Sequence, residues 1–265
     1  QMGAVLIAFE GLSILSILYQ KKRIPVAIWI QTVITFTAFV ILFMAPGNDV
    51  RVASEIATWM PGYKELSVGN HLFMTIQWML SSFANEGKAF FIAIWAAGFL
   101  LLMKSEKAKA YQILAVVFSV AAILPYAGIT FFSEMGIGDI DIEQCLMELP
   151  TWQSMTTPNR IAFFWWIAAV LFTLVLLWKV TGHSVFISMV FLGGIASEAV
   201  LYFSPTIYAS GARVYYLTDL MYLFIILWMV MRMDSEKKKN LFIAGAAALG
   251  VINFLSQYSI MLLKL

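Results

Sequence analysis

The feature that most constrains this chain is a series of long apolar blocks separated by short polar connections. A helix rises about 1.5 Å per residue, so about 20 residues cross the roughly 30 Å of hydrocarbon in a bilayer. The composition agrees: 62% of residues are hydrophobic and 12% are charged, about half the charged fraction of a soluble domain. The sequence predicts an all-α, polytopic transmembrane bundle, with apolar blocks at 2–19, 24–45, 70–84, 89–103, 111–132, 161–178, 184–203, 212–231 and 241–263.

The start of the chain bears on its domain organisation. The first block has no basic leader and contains Glu10, so we interpret it as a membrane helix and not as a signal peptide. Gln1 precedes the first methionine, and either it is a tag remnant or the chain is the C-terminal part of a longer protein. We expect residues 1–265 to form a single integral membrane domain.

The basic residues are concentrated in four of the polar connections, at 20–23, 104–110, 179–183 and 233–239. With Arg232, these connections hold most of the 17 lysines and arginines. Cytoplasmic connections of membrane proteins carry an excess of basic residues, so we expect all four in the cytoplasm.

One short block decides the topology. Block 70–84 contains Gln77 and is short for a full crossing. If it is a re-entrant or interfacial element, all four basic connections fall on the cytoplasmic side, and the chain has about eight full spans plus this partial one. The alternative is nine full spans, with connection 104–110 and everything after it on the opposite side.

The predicted topology puts three connections on the outer face: 46–69, 133–159 and 204–213. The first begins with APGNDVR, in which Pro46 cannot continue a helix and Asn48 tolerates the left-handed turn that ends one. Arg51 then lies near the membrane surface, where its guanidinium group can bind a phosphate with two hydrogen bonds.

A second motif, SPTIYASGAR at 204–213, repeats this order of features. Pro205 ends a helix, a glycine-containing turn follows, and Arg213 begins the next helix, whose N-terminus also attracts anions. Arg160, which follows TTPN, occupies a third such position. The alternative is that these arginines only reach out to lipid headgroups.

The two motifs resemble those of a family of bacterial polytopic membrane proteins that carries an APGN-x-x-R motif. That family is related to the GT-C class of glycosyltransferases, which use lipid-phosphate sugars. The resemblance implies transfer of a sugar from a polyprenyl-phosphate donor at the outer face of the bacterial cytoplasmic membrane. Asn48 and Arg51 match the first motif, and Pro205 and Arg213 match the second.

One departure from the GT-C pattern concerns the catalytic group. GT-C enzymes usually hold a catalytic acidic residue in the first outer loop, after an N-terminal helix, and nothing precedes the first block here. Either an N-terminal segment or a partner subunit supplies that carboxylate, or the chain is not a complete transferase. The catalytic residue therefore stays unassigned.

The outer connection 133–159 offers another source of carboxylates, with Asp139, Asp141, Glu143 and Glu148. Such oxygen ligands can hold a divalent cation, and a carboxylate can accept a proton from a hydroxyl group. A solvated acidic loop is the alternative. No other metal site is expected, because the two histidines of the chain are predicted on opposite faces.

Three acidic residues lie inside apolar blocks: Glu10, Glu198 and Asp219. A charge inside the bilayer costs several kcal/mol unless it is paired or meets water, so these side chains should face inward. Glu198 and Asp219 lie at similar depths beneath the second motif, and we expect them to form a cluster with Arg213 that binds substrate. The alternative is a neutral acid hydrogen bonded to a neighbouring helix.

Two function classes stay open after these observations. One is a membrane glycosyltransferase, or its carrier-binding part; the other is a transporter or flippase for an anionic lipid or solute. No P-loop, dinucleotide motif or basic nucleic-acid patch is present, so no nucleic-acid partner is expected.

The small residues of GAAALG at 245–250 predict close packing between helices.

Overall fold

The computed structural model describes residues 2–19, 21–45, 48–124, 151–182, 184–206 and 215–263. These residues form α-helices, short 3₁₀ turns and connections, with no β-strand among them, which confirms the all-α class. The α-helices of this part are α1 (Met2–Tyr19), α2 (Val26–Phe43), α3 (Asn48–Trp59), α4 (Val68–Asn85), α5 (Lys88–Leu102), α6 (Lys109–Ile123), α7 (Thr157–Val180), α8 (Val185–Ala199), α9 (Tyr216–Met231) and α10 (Glu236–Leu263).

Helix lengths test the prediction of membrane spans. Among the described residues, one helical stretch, Asn159–Val180 in α7, is by itself long and apolar enough to cross a membrane. Three shorter apolar helices fall below that length, namely Val26–Ile41, Val185–Ala199 and Tyr216–Met231. The prediction of about eight full spans therefore stays a prediction.

The block expected to be a partial span has a distinct geometry. Helices α4 and α5 are joined by a two-residue turn and bend by 68° relative to each other, and together they are apolar enough for one crossing. The turn is closed by backbone hydrogen bonds from Glu86 and Gly87 to the carbonyl oxygen of Ser82, both 2.9 Å long. This is the geometry of a broken span or of a re-entrant element.

The chain divides into two compact units that alternate along the sequence. Unit 1 comprises Gln1–Met79, Asp139–Met155 and Val185–Met221, and unit 2 comprises Leu80–Gly138, Thr156–Ser184 and Tyr222–Leu265. In unit 1, α1 packs against α2 and α8; in unit 2, α5 packs against α6, α7 and α10. The expectation of one membrane domain over 1–265 stays a prediction.

Helix α5 forms the centre of unit 2. The indole of Trp95 is fully buried and donates a hydrogen bond of 2.8 Å to the Thr173 hydroxyl of α7. A turn further along, Gly98 faces Leu176 so closely that a Cβ atom at Gly98 would lie 2.7 Å from the leucine Cδ2 atom. The first contact joins residues 95 and 173 and the second joins residues 98 and 176. Because the residue numbers increase in the same direction on both helices, α5 and α7 run parallel.

The basic connections of unit 2 lie at one end of it, which we call the basic end. The Gln112 amide of α6 donates to the carbonyl oxygen of Leu102 over 2.6 Å, so α6 begins where α5 ends. Lys104 pairs with Asp234 over 3.2 Å, which brings connection 233–239 to the same place. Because α7 is parallel to α5, Lys179 is there too. This shared end agrees with the predicted shared side for three of the four basic connections.

Candidate functional site

The first motif leads into an amphipathic helix and not into an extended loop. Helix α3 begins at Asn48, and Arg51 lies in its first turn with a side chain that is 71% exposed. Only a narrow stripe of α3 and the residue after it is buried, at Ile56 and Met60. Pro46 and Gly47 lie outside the described residues. The motif therefore presents Arg51 on the exposed side of a helix.

Among the residues that the structure describes, the ion pair of Arg51 lies within its own helix. Its Nε atom lies 3.4 Å from the Glu55 carboxylate, one turn further along. An exposed ion pair of this spacing contributes about 0.3 to 0.5 kcal/mol. A phosphate, which can accept two hydrogen bonds from the guanidinium group, competes readily with such a contact.

The segment after α3 contacts the segment before the second motif through three aromatic side chains, Tyr63, His71 and Tyr202, which we call the aromatic cluster. The His71 ring lies 4.6 Å from the Tyr63 ring and 5.4 Å from the Tyr202 ring. The Tyr63 hydroxyl donates to the carbonyl oxygen of Tyr202 over 3.4 Å. The cluster thus joins the ends of two connections predicted on the outer face.

The hydrogen-bond donors and acceptors of the aromatic cluster can be assigned. His71 Nε2 lies 3.1 Å from the carbonyl oxygen of Tyr63, which can only accept, so Nε2 carries a proton. Burial of the Tyr63 hydroxyl, and to a smaller extent the neighbouring Tyr202, raises the pKa of Tyr63 above its usual value. Tyr63 therefore stays a neutral hydrogen-bond donor at physiological pH.

The beginning of the second motif lies against this cluster. Ser204 lines a small cavity with Tyr63 and His71, and its hydroxyl lies 2.8 Å from that of Thr206. Pro205, which lies between these two residues in the sequence, is buried. Arg213, the cation of this motif, lies outside the described residues, so its predicted convergence with Arg51 stays a prediction.

The remaining connection predicted on the outer face, 133–159, contacts α4 through Trp152. Its ring meets the Phe73 ring of α4 edge to face, with centroids 6.1 Å apart. The acidic stretch from Asp139 to Glu148 lies outside the described residues. Arg160 lies in the first turn of α7, whose N-terminus is capped by the Thr156 hydroxyl accepting from the Asn159 amide, and it belongs to unit 2.

The acidic residues of α8 and α9 lie beside a hydrogen-bonded pair of hydroxyl groups. The Ser197 and Thr218 hydroxyls lie 2.8 Å apart, and each also lies within hydrogen-bond distance of the Gly194 carbonyl oxygen, so their two protons serve three contacts. Glu198, next to Ser197, is 1% exposed, and Asp219, next to Thr218, is partly exposed. The two helices are adjacent as predicted, and the side chains in contact are the hydroxyls preceding the acids.

The carboxyl group of Glu10 also faces inward. It is 6% exposed, and its Oε1 atom accepts a hydrogen bond of 2.7 Å from the Thr35 hydroxyl of α2. Its other oxygen is buried without a hydrogen-bond partner among the described residues. The inward orientation predicted for three acids is confirmed for Glu10 and Glu198, whereas Asp219 is partly exposed. For Glu10, the hydrogen bond to a neighbouring helix fits the alternative of a structural acid.

Sequence reasoning missed five residues of these contacts, namely Tyr63, His71, Tyr202, Ser197 and Thr218. One signal was available, because Tyr63 follows the first motif in the same connection and Tyr202 lies two residues before the second motif. In the described part of the chain, no group of three His, Cys, Asp or Glu side chains is placed to bind a metal ion.

No known protein family, curated protein or solved structure matches this chain.

Proposed function

We propose that this chain is an integral protein of the bacterial cytoplasmic membrane that binds a polyprenyl-phosphate-linked sugar at the outer face and serves in transfer of that sugar. The observation that carries the proposal is the contact between Tyr63 and Tyr202, which joins the segments that bear the two arginine motifs. Each motif brings one arginine, and two guanidinium groups suit a phosphate with several charged oxygens.

The other residues have roles that follow from their chemistry. Asn48 begins the helix that carries Arg51, and Pro205 lies in the segment that contacts the aromatic cluster. Tyr63 offers a neutral hydroxyl group next to aromatic faces, which suits the hydroxyls and the apolar face of a sugar ring. The carboxylate that accepts the proton of the acceptor comes from the acidic outer connection, with or without a divalent cation, or from an N-terminal segment or partner subunit.

The buried groups have a supporting place in this proposal. We propose that Glu198 and Asp219 attract Arg213 by charge, as the sequence predicts, and that Arg160 attracts anionic lipid at the predicted outer surface. A transporter or flippase is the second candidate. The hydrogen bond between Glu10 and Thr35 favours it, because it puts a polar group near the middle of α1 and α2, where a transport path needs one.

The test is binding of a polyprenyl-phosphate sugar to the purified chain in detergent, with Arg51→Ala and Arg51→Lys. Loss of a charge-assisted contact worth about 1.5 to 3 kcal/mol weakens binding roughly tenfold or more, and lysine restores only part because it lacks the planar fork. Arg23→Ala and Arg23→Lys are matched controls, since Arg23 is exposed in a predicted cytoplasmic connection.

Two results separate the candidates. Transfer of labelled sugar to an acceptor in proteoliposomes, lost in Arg51→Ala, supports the transferase. Movement of the intact lipid between leaflets, lost in Glu10→Gln and unaffected in Arg51→Lys, supports the flippase. Wild-type binding in both Arg51 variants contradicts the proposed phosphate site.

A further inference from the structure

Unit 2 contains an apolar groove between α5, α6 and α10, with a volume of about 430 Å³. Ser119 is the one polar side chain in its lining. The groove is open because small residues line it, among them Ala96, Gly245 and Ala246. A Cβ atom at Gly245 or Gly250 would meet nothing within 4 Å among the described residues, so these two glycines do not show the close packing predicted for this run.

The length of the groove matches one leaflet of a bilayer. Its lining runs from Ile92 to Leu100 on α5 and from Leu241 to Leu249 on α10. Eight residues of helix rise about 12 Å, while half of the hydrocarbon thickness is about 15 Å. An extended acyl chain lying in the groove would therefore contact apolar side chains over most of the thickness of one leaflet.

One end of the groove opens at the basic end of unit 2. Residues four apart lie on the same face of a helix. Lys104 lies in the turn directly after α5, four residues beyond Leu100, and Lys237 lies in the first turn of α10, one turn before Leu241. On α6, Lys109 lies two turns before Val116, another lining residue. Each wall of the groove thus continues into a lysine.

The charges at this opening do not cancel. The Asp234 carboxylate contacts two ammonium groups, Lys104 at 3.2 Å and Lys238 at 2.9 Å. Glu236 pairs with Lys239 over 2.7 Å. Exposed lysines at 107, 109 and 237 add to these and Glu106 adds one acid, so basic side chains still outnumber acidic ones at the opening.

We propose that this groove binds an anionic phospholipid, with one acyl chain along α5, α6 and α10 and the phosphate among Lys104, Lys109 and Lys237. A zwitterionic lipid would fill the apolar part but would gain less from the lysines. The inference rests on the membrane location proposed above and not on the sugar-transfer chemistry.

The first test measures headgroup preference. The purified, delipidated full chain in detergent is titrated with dioleoyl-phosphatidylglycerol or dioleoyl-phosphatidylcholine, and bound lipid is counted by native mass spectrometry. We expect the anionic lipid to bind at least tenfold more tightly. Lys109→Gln and Lys237→Gln should each weaken its binding about fivefold. Lys179→Gln, at the same end but on α7, should leave binding unchanged. Equal affinity for both lipids, or silent Lys109 and Lys237 variants, overturns the proposal.

The second test fills the groove. Ala96→Leu and Gly245→Leu add side chains to its lining and should weaken binding of both lipids about tenfold. Ala247→Leu, on the opposite face of α10, is the matched control. Wild-type lipid binding in the filled variants, with or without a change in oligomeric state, overturns the proposal. If a filled variant fails to fold, the lysine variants decide the result.

Discussion

The hydroxyl group of Tyr63 donates a hydrogen bond to the carbonyl oxygen of Tyr202, 3.4 Å away and 139 residues further along the chain. This bond joins the segment that follows the first arginine motif to the segment that precedes the second. His71 packs against both tyrosine rings and donates to the Tyr63 backbone. The candidate outer site therefore depends on a contact between two distant parts of unit 1.

We predict that Tyr63→Phe destabilises the protein by removing this hydrogen bond while keeping the ring contacts. A typical hydrogen bond contributes about 1 kcal/mol, and this one is long, so we expect a loss of about 0.5 to 1 kcal/mol. Thermal unfolding in detergent should show a melting temperature lower by about 2 °C. Tyr216→Phe, whose side chain is largely exposed, is the control. Equal melting of the two variants contradicts the role of the bond.

The predicted topology can be tested with single cysteines in a Cys145→Ser background. Cysteines replacing Asp49, Asp139 and Ser210 should react with an impermeant maleimide added to intact cells, because all three lie in predicted outer connections. A cysteine replacing Lys107, at the basic end of unit 2, should react only after permeabilisation. Labelling of Lys107→Cys in intact cells would refute the cytoplasmic assignment of that end.

Gly98 should tolerate no side chain, because its helix lies against Leu176. A Cβ atom there would come within 2.7 Å of a leucine methyl group, and overpacking of this kind costs about 1 to 3 kcal/mol. Gly98→Ala should lower the melting temperature, and the same change should lower it less in a Leu176→Ala background. Gly245→Ala, where the new methyl group meets open space, should be neutral or stabilising. The prediction fails if both glycine variants behave alike.

The ion pairs at Asp234 should make stability sensitive to acid. Hydrogen bonds from Lys238 and Lys104 lower the Asp234 pKa to about 2. The folded pKa is below the unfolded value of about 3.9, so the stabilisation is complete above that value and disappears as the pH falls to about 2. The difference in melting temperature between wild type and Asp234→Asn should be constant near neutral pH and vanish between pH 4 and 2. A difference that stays the same from neutral pH down to pH 2 would contradict the role of these ion pairs.

The sequence alone determines the features that depend on neighbours along the chain. Blocks of apolar residues predict helices, and the observed helices follow them, because helix formation depends on residues three and four positions apart. An acidic residue within an apolar block is expected to face inward, and the burial of Glu10 and Glu198 confirms this. The grouping of basic connections also follows from local charge, and three of the four meet at one end of unit 2.

Only the tertiary structure decides which distant side chains meet. Nothing near Tyr63 in the sequence indicates Tyr202 as its partner, and the residues around Ser197 give no sign that it contacts Thr218. The glycines show the same limit: Gly98 lies against Leu176 while Gly245 borders an open groove, although both are small residues in apolar helices. The physical reason is that the angles and distances at which helices pack depend on many side chains at once, whereas periodicity reports only the face that each helix turns inward.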